Sequence, residues 1–170
     1  MTGFSPSQTD FEKNAAAGKS QLVWTWVPAD LETPVSAYLK LTQDSENSFL
    51  LESVEGGANL GRYSSIGLEP DLVWNYKKSS EKDPLATLRK QVRESRIDIV
   101  DPEIPPMGPS GLFGYMGYDM VRLIEDIPDG NPPSVEIPDS IMIRPTVMVI
   151  FDNVKSQMCL VSPGFSSCGM

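Results

Sequence analysis

Apolar positions in this chain alternate more often than they recur at helical spacing. Leu22, Val23, Trp24, Trp26 and Val27 alternate loosely and are closed by Pro28, which predicts a first strand over residues 21–27. Phe49, Leu50 and Leu51 form a short apolar run that ends on Glu52 and Ser53, and Tyr63, Ile66 and Leu68 resume the pattern after a glycine-rich break. That stretch reads as strand, loop, strand. Leu72, Val73, Trp74 and Tyr76 predict a third strand over residues 71–77, paired with 62–68 through a turn at Pro70 and Asp71. Residues 141–151 are the most apolar of all and predict a buried strand with a break at Arg144 and Pro145. Asp152 and Asn153 then read as a hairpin turn, with a return strand over 158–161 that buries Cys159.

Helical spacing is confined to three places. Thr33 is an N-cap residue before Pro34, and Val35, Tyr38, Leu39 and Leu41 make one apolar stripe, so a short helix is expected over 34–42. Asp83 and Pro84 repeat that start, followed by Leu85, Leu88 and Val92. Arg89, Lys90, Arg93 and Arg96 gather toward the end of this helix, where the dipole favours cations, and read as a solvated face. Asp119 is expected to cap a third helix through Met120, Val121, Leu123 and Ile124. Prolines make 101–109 an extended connection and 129–138 a loop. Gly111, Gly114 and Gly117 lie between aromatics in a strand-like run, a placement that suits either close backbone packing or a direct ligand contact. The fold class expected is α+β, mainly antiparallel β-sheet with a few short helices. Residues 1–20, polar apart from Phe4 and Phe11, are expected to be a flexible leader; 21–163 a single domain; and 164–170 an irregular tail left by truncation.

Composition narrows the function. The 170 residues are 40% hydrophobic and 22% charged, enough to bury a core. A net charge of −9 and a pI near 4.5 disfavour nucleic acid and anionic membranes, which would repel the chain. No apolar run is long enough to span a bilayer, and the first residues lack a secretion signal, so the cytoplasm is the expected compartment. Histidine is absent, which removes the commonest general base and zinc ligand. Cys159 and Cys168 are too few for a disulfide framework and wrongly spaced for zinc, so no metal site is expected in the chain.

The candidate chemistry sits at the glycine-rich break. Gly56 to Gly61 has phosphate-loop spacing, but Arg62 and Tyr63 follow where such a loop needs Lys and Ser or Thr, and strand residues follow where it needs a helix. A different ligand suits the flanks. Glu52 offers an anion, Ser53 a donor and acceptor, and Arg62 a planar cation with five donors, a set able to take both the ammonium and the carboxylate of a free amino acid while apolar neighbours hold its side chain.

Three segments, Leu-Leu-Glu-Ser-Val-Glu-Gly-Gly, Gly-Arg-Tyr-Ser-Ser-Ile-Gly and Gly-Leu-Phe-Gly-Tyr-Met-Gly-Tyr-Asp-Met-Val-Arg, occur here in an order and separation that resembles the N-terminal domain of anthranilate synthase component I, from about residue 31 to 161. The resemblance implies that fold and a tryptophan feedback site at the Leu-Glu-Ser segment, Leu51, Glu52 and Ser53; the flanking Arg62, or nearby backbone N–H groups, and Tyr63 complete the expected ligand-binding set. It also implies that chorismate, magnesium and all catalytic residues belong to a C-terminal catalytic domain missing from this chain. The implied partners are L-tryptophan as inhibitor, that domain, and the glutamine amidotransferase component II that delivers ammonia. A sheet built to pack on a larger domain is expected to be uncovered near Tyr115 to Tyr118 and along 141–151. The related aminodeoxychorismate synthase component of the folate pathway, and a stand-alone amino-acid-binding module, are the alternatives.

Overall fold

The computed structural model describes residues 3–43, 45–53, 61–78, 82–106, 110–128 and 135–164. Helix α1 (Gln8–Ala16) is followed by strand β1 (Gln21–Pro28), helix α2 (Pro34–Leu41), β2 (Phe49–Leu51), β3 (Tyr63–Tyr76), helix α3 (Pro84–Glu94), β4 (Phe113–Met116), a 3-10 helix (Tyr118–Leu123), β5 (Ser140–Asp152) and β6 (Gln157–Gly164). The strands make one antiparallel six-stranded sheet in the order β1-β6-β5-β3-β2, with β4 pairing the first part of β5. The mainly antiparallel α+β class expected from the pattern is the class observed.

β3 and β5 are the spine, and here two expectations are corrected. No turn occurs at Pro70–Asp71 and no break at Arg144–Pro145, because the two prolines face each other across the β3–β5 ladder. Neither needs a partner for a backbone N–H that proline lacks. The register shift between Pro70 and Leu72 leaves Asp71 as an extra residue, a bulge with Glu69 at φ 50°. The bulge is closed by side chains. Arg144 donates from Nε and Nη2 to the Asp71 carboxylate at 2.7 and 2.8 Å, and Thr146 Oγ1 donates to the Glu69 carbonyl at 2.6 Å.

The sheet buries both faces. Leu22, Trp24, Met148, Ile150, Cys159 and Val161 pack on one, and Ile66, Leu68, Val149 and Phe151 pack with Ala37 of α2 on the other. Burial of both faces is why residues 64–68 show no alternation, whereas β3 beyond Pro70 alternates again. Trp74, Tyr76 and Met120 close the far end against Leu85 and Leu88 of α3. Burial pushes the Cys159 thiol up to about 12, consistent with an inert core residue. Cys168 and residues 165–170 of the expected tail lie outside the described residues.

The caps at Thr33 and Asp83 form as expected, accepting from Ser36 N and Ala86 N. Two expectations do not hold, and a third holds only near Tyr115 to Tyr118. Residues 8–16, placed in a flexible leader, form a helix capped by Ser7, tied to the sheet where Gln21 Nε2 donates to the Phe11 carbonyl at 2.8 Å and Asn14 Nδ2 donates to Gln21 Oε1 at 3.0 Å. Asp119 lies inside the 3-10 helix and pairs with Arg122, so it caps nothing; Gly117 holds the cap position. Most of 141–151 is covered, with Ile143 and residues 148–151 buried, while Tyr115, Met116 and Tyr118 are exposed.

Gly114 shows why β4 needs glycine. Its φ is +157°, and a Cβ there would lie 1.9 Å from the Ile141 carbonyl oxygen. Gly114→Ala should therefore lower unfolding free energy by about 1–3 kcal/mol, read as a drop in the urea midpoint with an unchanged slope. A midpoint equal to the parent's would mean that β4 adjusts at no cost.

Candidate functional site

β2 ends at Leu51, whose Cα pairs with Ser65, and the polar residues Glu52 and Ser53 follow it. Leu50 turns toward the α2 side of the sheet, and Leu51 is 44% exposed on the other. Glu52 and Ser53 are exposed and leave the strand end side by side with Gly61, Arg62 and Tyr63, which lead into β3. The approach is close: a Cβ on Gly61 would lie 2.0 Å from Ser53 Oγ. All five expected residues, Leu51, Glu52, Ser53, Arg62 and Tyr63, thus sit at one end of the β2–β3 pair. Gly56 and Gly57 of the intervening break lie outside the described residues.

Arg62 is less free than its sequence context suggests. Its Nε and Nη2 donate to the carboxylate of Asp152, the shortest contact being 2.8 Å, and its guanidinium lies 4.9 Å from the centre of the Tyr63 ring. Asp152 is 1% exposed and also accepts from the backbone N–H groups of Val154 and Lys155 at 3.1 and 3.2 Å. Asn153 completes the seam, donating from N to the Arg62 carbonyl at 2.9 Å and from Nδ2 to the Gly61 carbonyl at 3.0 Å. Asp152 and Asn153 were legible only as turn residues. Their spacing from Arg62, 90 positions from Asp152, left no local signal for the pair.

Burial acts to raise the Asp152 carboxyl, but the Arg62 guanidinium and the two backbone N–H groups outweigh it and hold the carboxyl below its ordinary value of 3.8. A carboxyl depressed by folding adds stability above its unfolded value, and that stability is lost as the pH falls through the folded one. Stability should therefore begin to decline as the pH drops below about 5, with the loss extending below 3.8. In Asp152→Asn this acid limb should flatten, which urea titrations between pH 2 and 7 would show; an unchanged limb would mean that other carboxyls carry it. Asp98, held low by the backbone and hydroxyl of Ser20, contributes in the same direction.

No protein-family model matches the chain. Curated relatives do. It is 40% identical to anthranilate synthase component 1 of Cereibacter sphaeroides over the whole of this chain and 36% of that protein. It is 37% identical to the Thermus thermophilus protein of the same name over 80% of this chain and 30% of that one, and 34% identical to that of Synechocystis over 93% and 34%. The chain belongs to the anthranilate synthase component I family. It spans about a third of the length of the curated relatives it matches. The fold agrees: a solved anthranilate synthase component I from Streptococcus pneumoniae superposes with a TM-score of 0.53 at 19% identity, over 85% of this chain and 32% of that one.

Among the described residues, no group of three or more Cys, Asp or Glu side chains is placed to hold a metal ion. No helix among them is long and apolar enough to cross a membrane.

Proposed function

We propose that this chain is the tryptophan-sensing part of an anthranilate synthase component I, a cytoplasmic enzyme of tryptophan biosynthesis. In this reading Glu52 and Ser53 take the ammonium of L-tryptophan, Arg62 takes its carboxylate, and Leu51 and Tyr63 flank the indole. What supports it is the placement of an anion, a hydroxyl and an oriented guanidinium at the same end of the β2–β3 pair, beside exposed Leu51. A carboxylate suits the ammonium of a free amino acid, and directed guanidinium N–H donors suit its carboxylate.

The whole enzyme would convert chorismate to anthranilate and pyruvate with ammonia from a glutamine amidotransferase component II. Chorismate and magnesium would be held by the part of component I that these 170 residues do not include. The chain alone would be non-catalytic and would act by reporting tryptophan to that part.

The test joins this chain to the catalytic part of an intact component I and titrates L-tryptophan as inhibitor. Losing one hydrogen bond to a charged group costs about 1.5–3 kcal/mol, so Ser53→Phe should raise the half-inhibiting concentration about tenfold or more. If the chimera is tryptophan-sensitive and Ser53→Phe leaves that unchanged, the site is elsewhere.

A further inference from the structure

Asp152 is the one carboxylate buried among the described residues, and its contacts bear on the candidate site from a distant strand. It ends β5, facing Tyr63 on one side and Gln157 on the other. A buried carboxylate persists only if its oxygens are satisfied, and these are, by Arg62 and by the turn N–H groups. The consequence for Arg62 is the larger one. An arginine at a strand end has a long side chain whose freedom must be given up when it binds an anion. Here the freedom is already lost, with the Tyr63 ring against the guanidinium and the Asp152 carboxylate along its Nε–Nη2 edge. The Nη1 nitrogen makes no hydrogen bond among the described residues, and the side chain is still 48% exposed. A guanidinium has five donors in a fixed fork, so one edge can be anchored while another meets a ligand.

We propose that Asp152 is the positioning residue of the candidate amino-acid site, holding the Arg62 guanidinium where it meets the carboxylate of the ligand. This rests on the reading of Leu51, Glu52, Ser53, Arg62 and Tyr63 as that site. Because Asp152 neutralises the charge of Arg62, the pair offers a ligand directed hydrogen bonds more than net attraction, which suits selection of a carboxylate by geometry.

Calorimetry on the 170-residue chain, with L-tryptophan and with tryptamine, which lacks the carboxylate, separates positioning from general support. Asp152→Asn and Arg62→Gln should each weaken L-tryptophan about tenfold, the double variant should be no weaker than either, and tryptamine should bind all of them equally. Unchanged affinity in Asp152→Asn, additive losses in the double variant, or an equal loss for tryptamine would overturn the proposal. Failure of the parent chain to bind L-tryptophan would instead remove the site reading and the proposal with it. A measurement on the parent alone guards against a variant that does not fold. The Arg62 Nε–H should exchange slowly with water in nuclear magnetic resonance spectra and remain slow at tryptophan saturation; its release on binding would show that Asp152 does not hold Arg62 in the bound state.

Discussion

Gly61→Ala is expected to weaken L-tryptophan binding about tenfold or more with little change in secondary structure, because it moves Ser53 without touching its chemistry. An alanine Cβ at this position would lie 2.0 Å from Ser53 Oγ, 2.3 Å from its Cβ and 2.5 Å from its carbonyl oxygen. Ordinary contact needs roughly 3.5 Å, so the end of β2 must retreat by more than about 1 Å. The backbone carbonyl is among the atoms struck, so rotating the Ser53 side chain does not relieve the overlap. A binding group displaced by that much loses hydrogen-bond geometry, which is why the effect should match deletion of the hydroxyl. Calorimetry with L-tryptophan reads the affinity, and amide spectra show whether the shift stays at residues 51–53 and 61–63. Parent-like affinity with spectral changes at Ser53 would dissociate Ser53 from the ligand.

The largest effect on stability is expected at Ile150. It is 0% exposed at the centre of the sheet, opposite Ser65 on β3 and Cys159 on β6, within the cluster that includes Leu22 and Met148. Ile150→Ala removes buried carbon and leaves a cavity hemmed by paired strands that cannot close in, at a cost of about 2–5 kcal/mol. Total stability for a domain of this size is about 5–15 kcal/mol, so the variant should be partly unfolded at room temperature or melt far below the parent. Ile150→Val, which removes a single methyl group, should cost about 0.5–1.5 kcal/mol and serves as the scale. Urea unfolding of the pair decides the matter: equal midpoints would mean that β5 is not the packed centre of the fold.

Much of this architecture is legible in short windows. Alternation marks β1 and the part of β3 beyond Pro70, a Thr-Pro and an Asp-Pro step start α2 and α3, and the Asp152–Asn153 pair marks the turn into β6. These features depend on preferences within a few residues, on caps, proline geometry and the two-residue period of a pleat. The same windows mislead at Pro70 and Arg144–Pro145. Proline reads as a turn or break unless the facing strand also lacks a donor there, and the partner proline is far away in sequence. Helix α1 is invisible for a related reason. It buries no residue, so no apolar stripe announces it, and it is held by the side chain of Gln21 on the neighbouring strand.

At the candidate site, the family resemblance carried by the Leu-Glu-Ser and Gly-Arg-Tyr segments, and the residues at the ends of β2 and β3, follow from the order of amino acids alone. Adjacent residues stay adjacent in any fold, so local chemistry survives in the linear text. Tertiary structure alone decided that Arg62 meets a buried carboxylate 90 positions away and that Gly61 leaves room for Ser53. The first contact exists only once β5 has paired with β3 and brought its last residue against the beginning of that strand, and the second only once β2 has paired with β3. Pairing of that kind is set by the packing of the whole sheet, and no local preference encodes it.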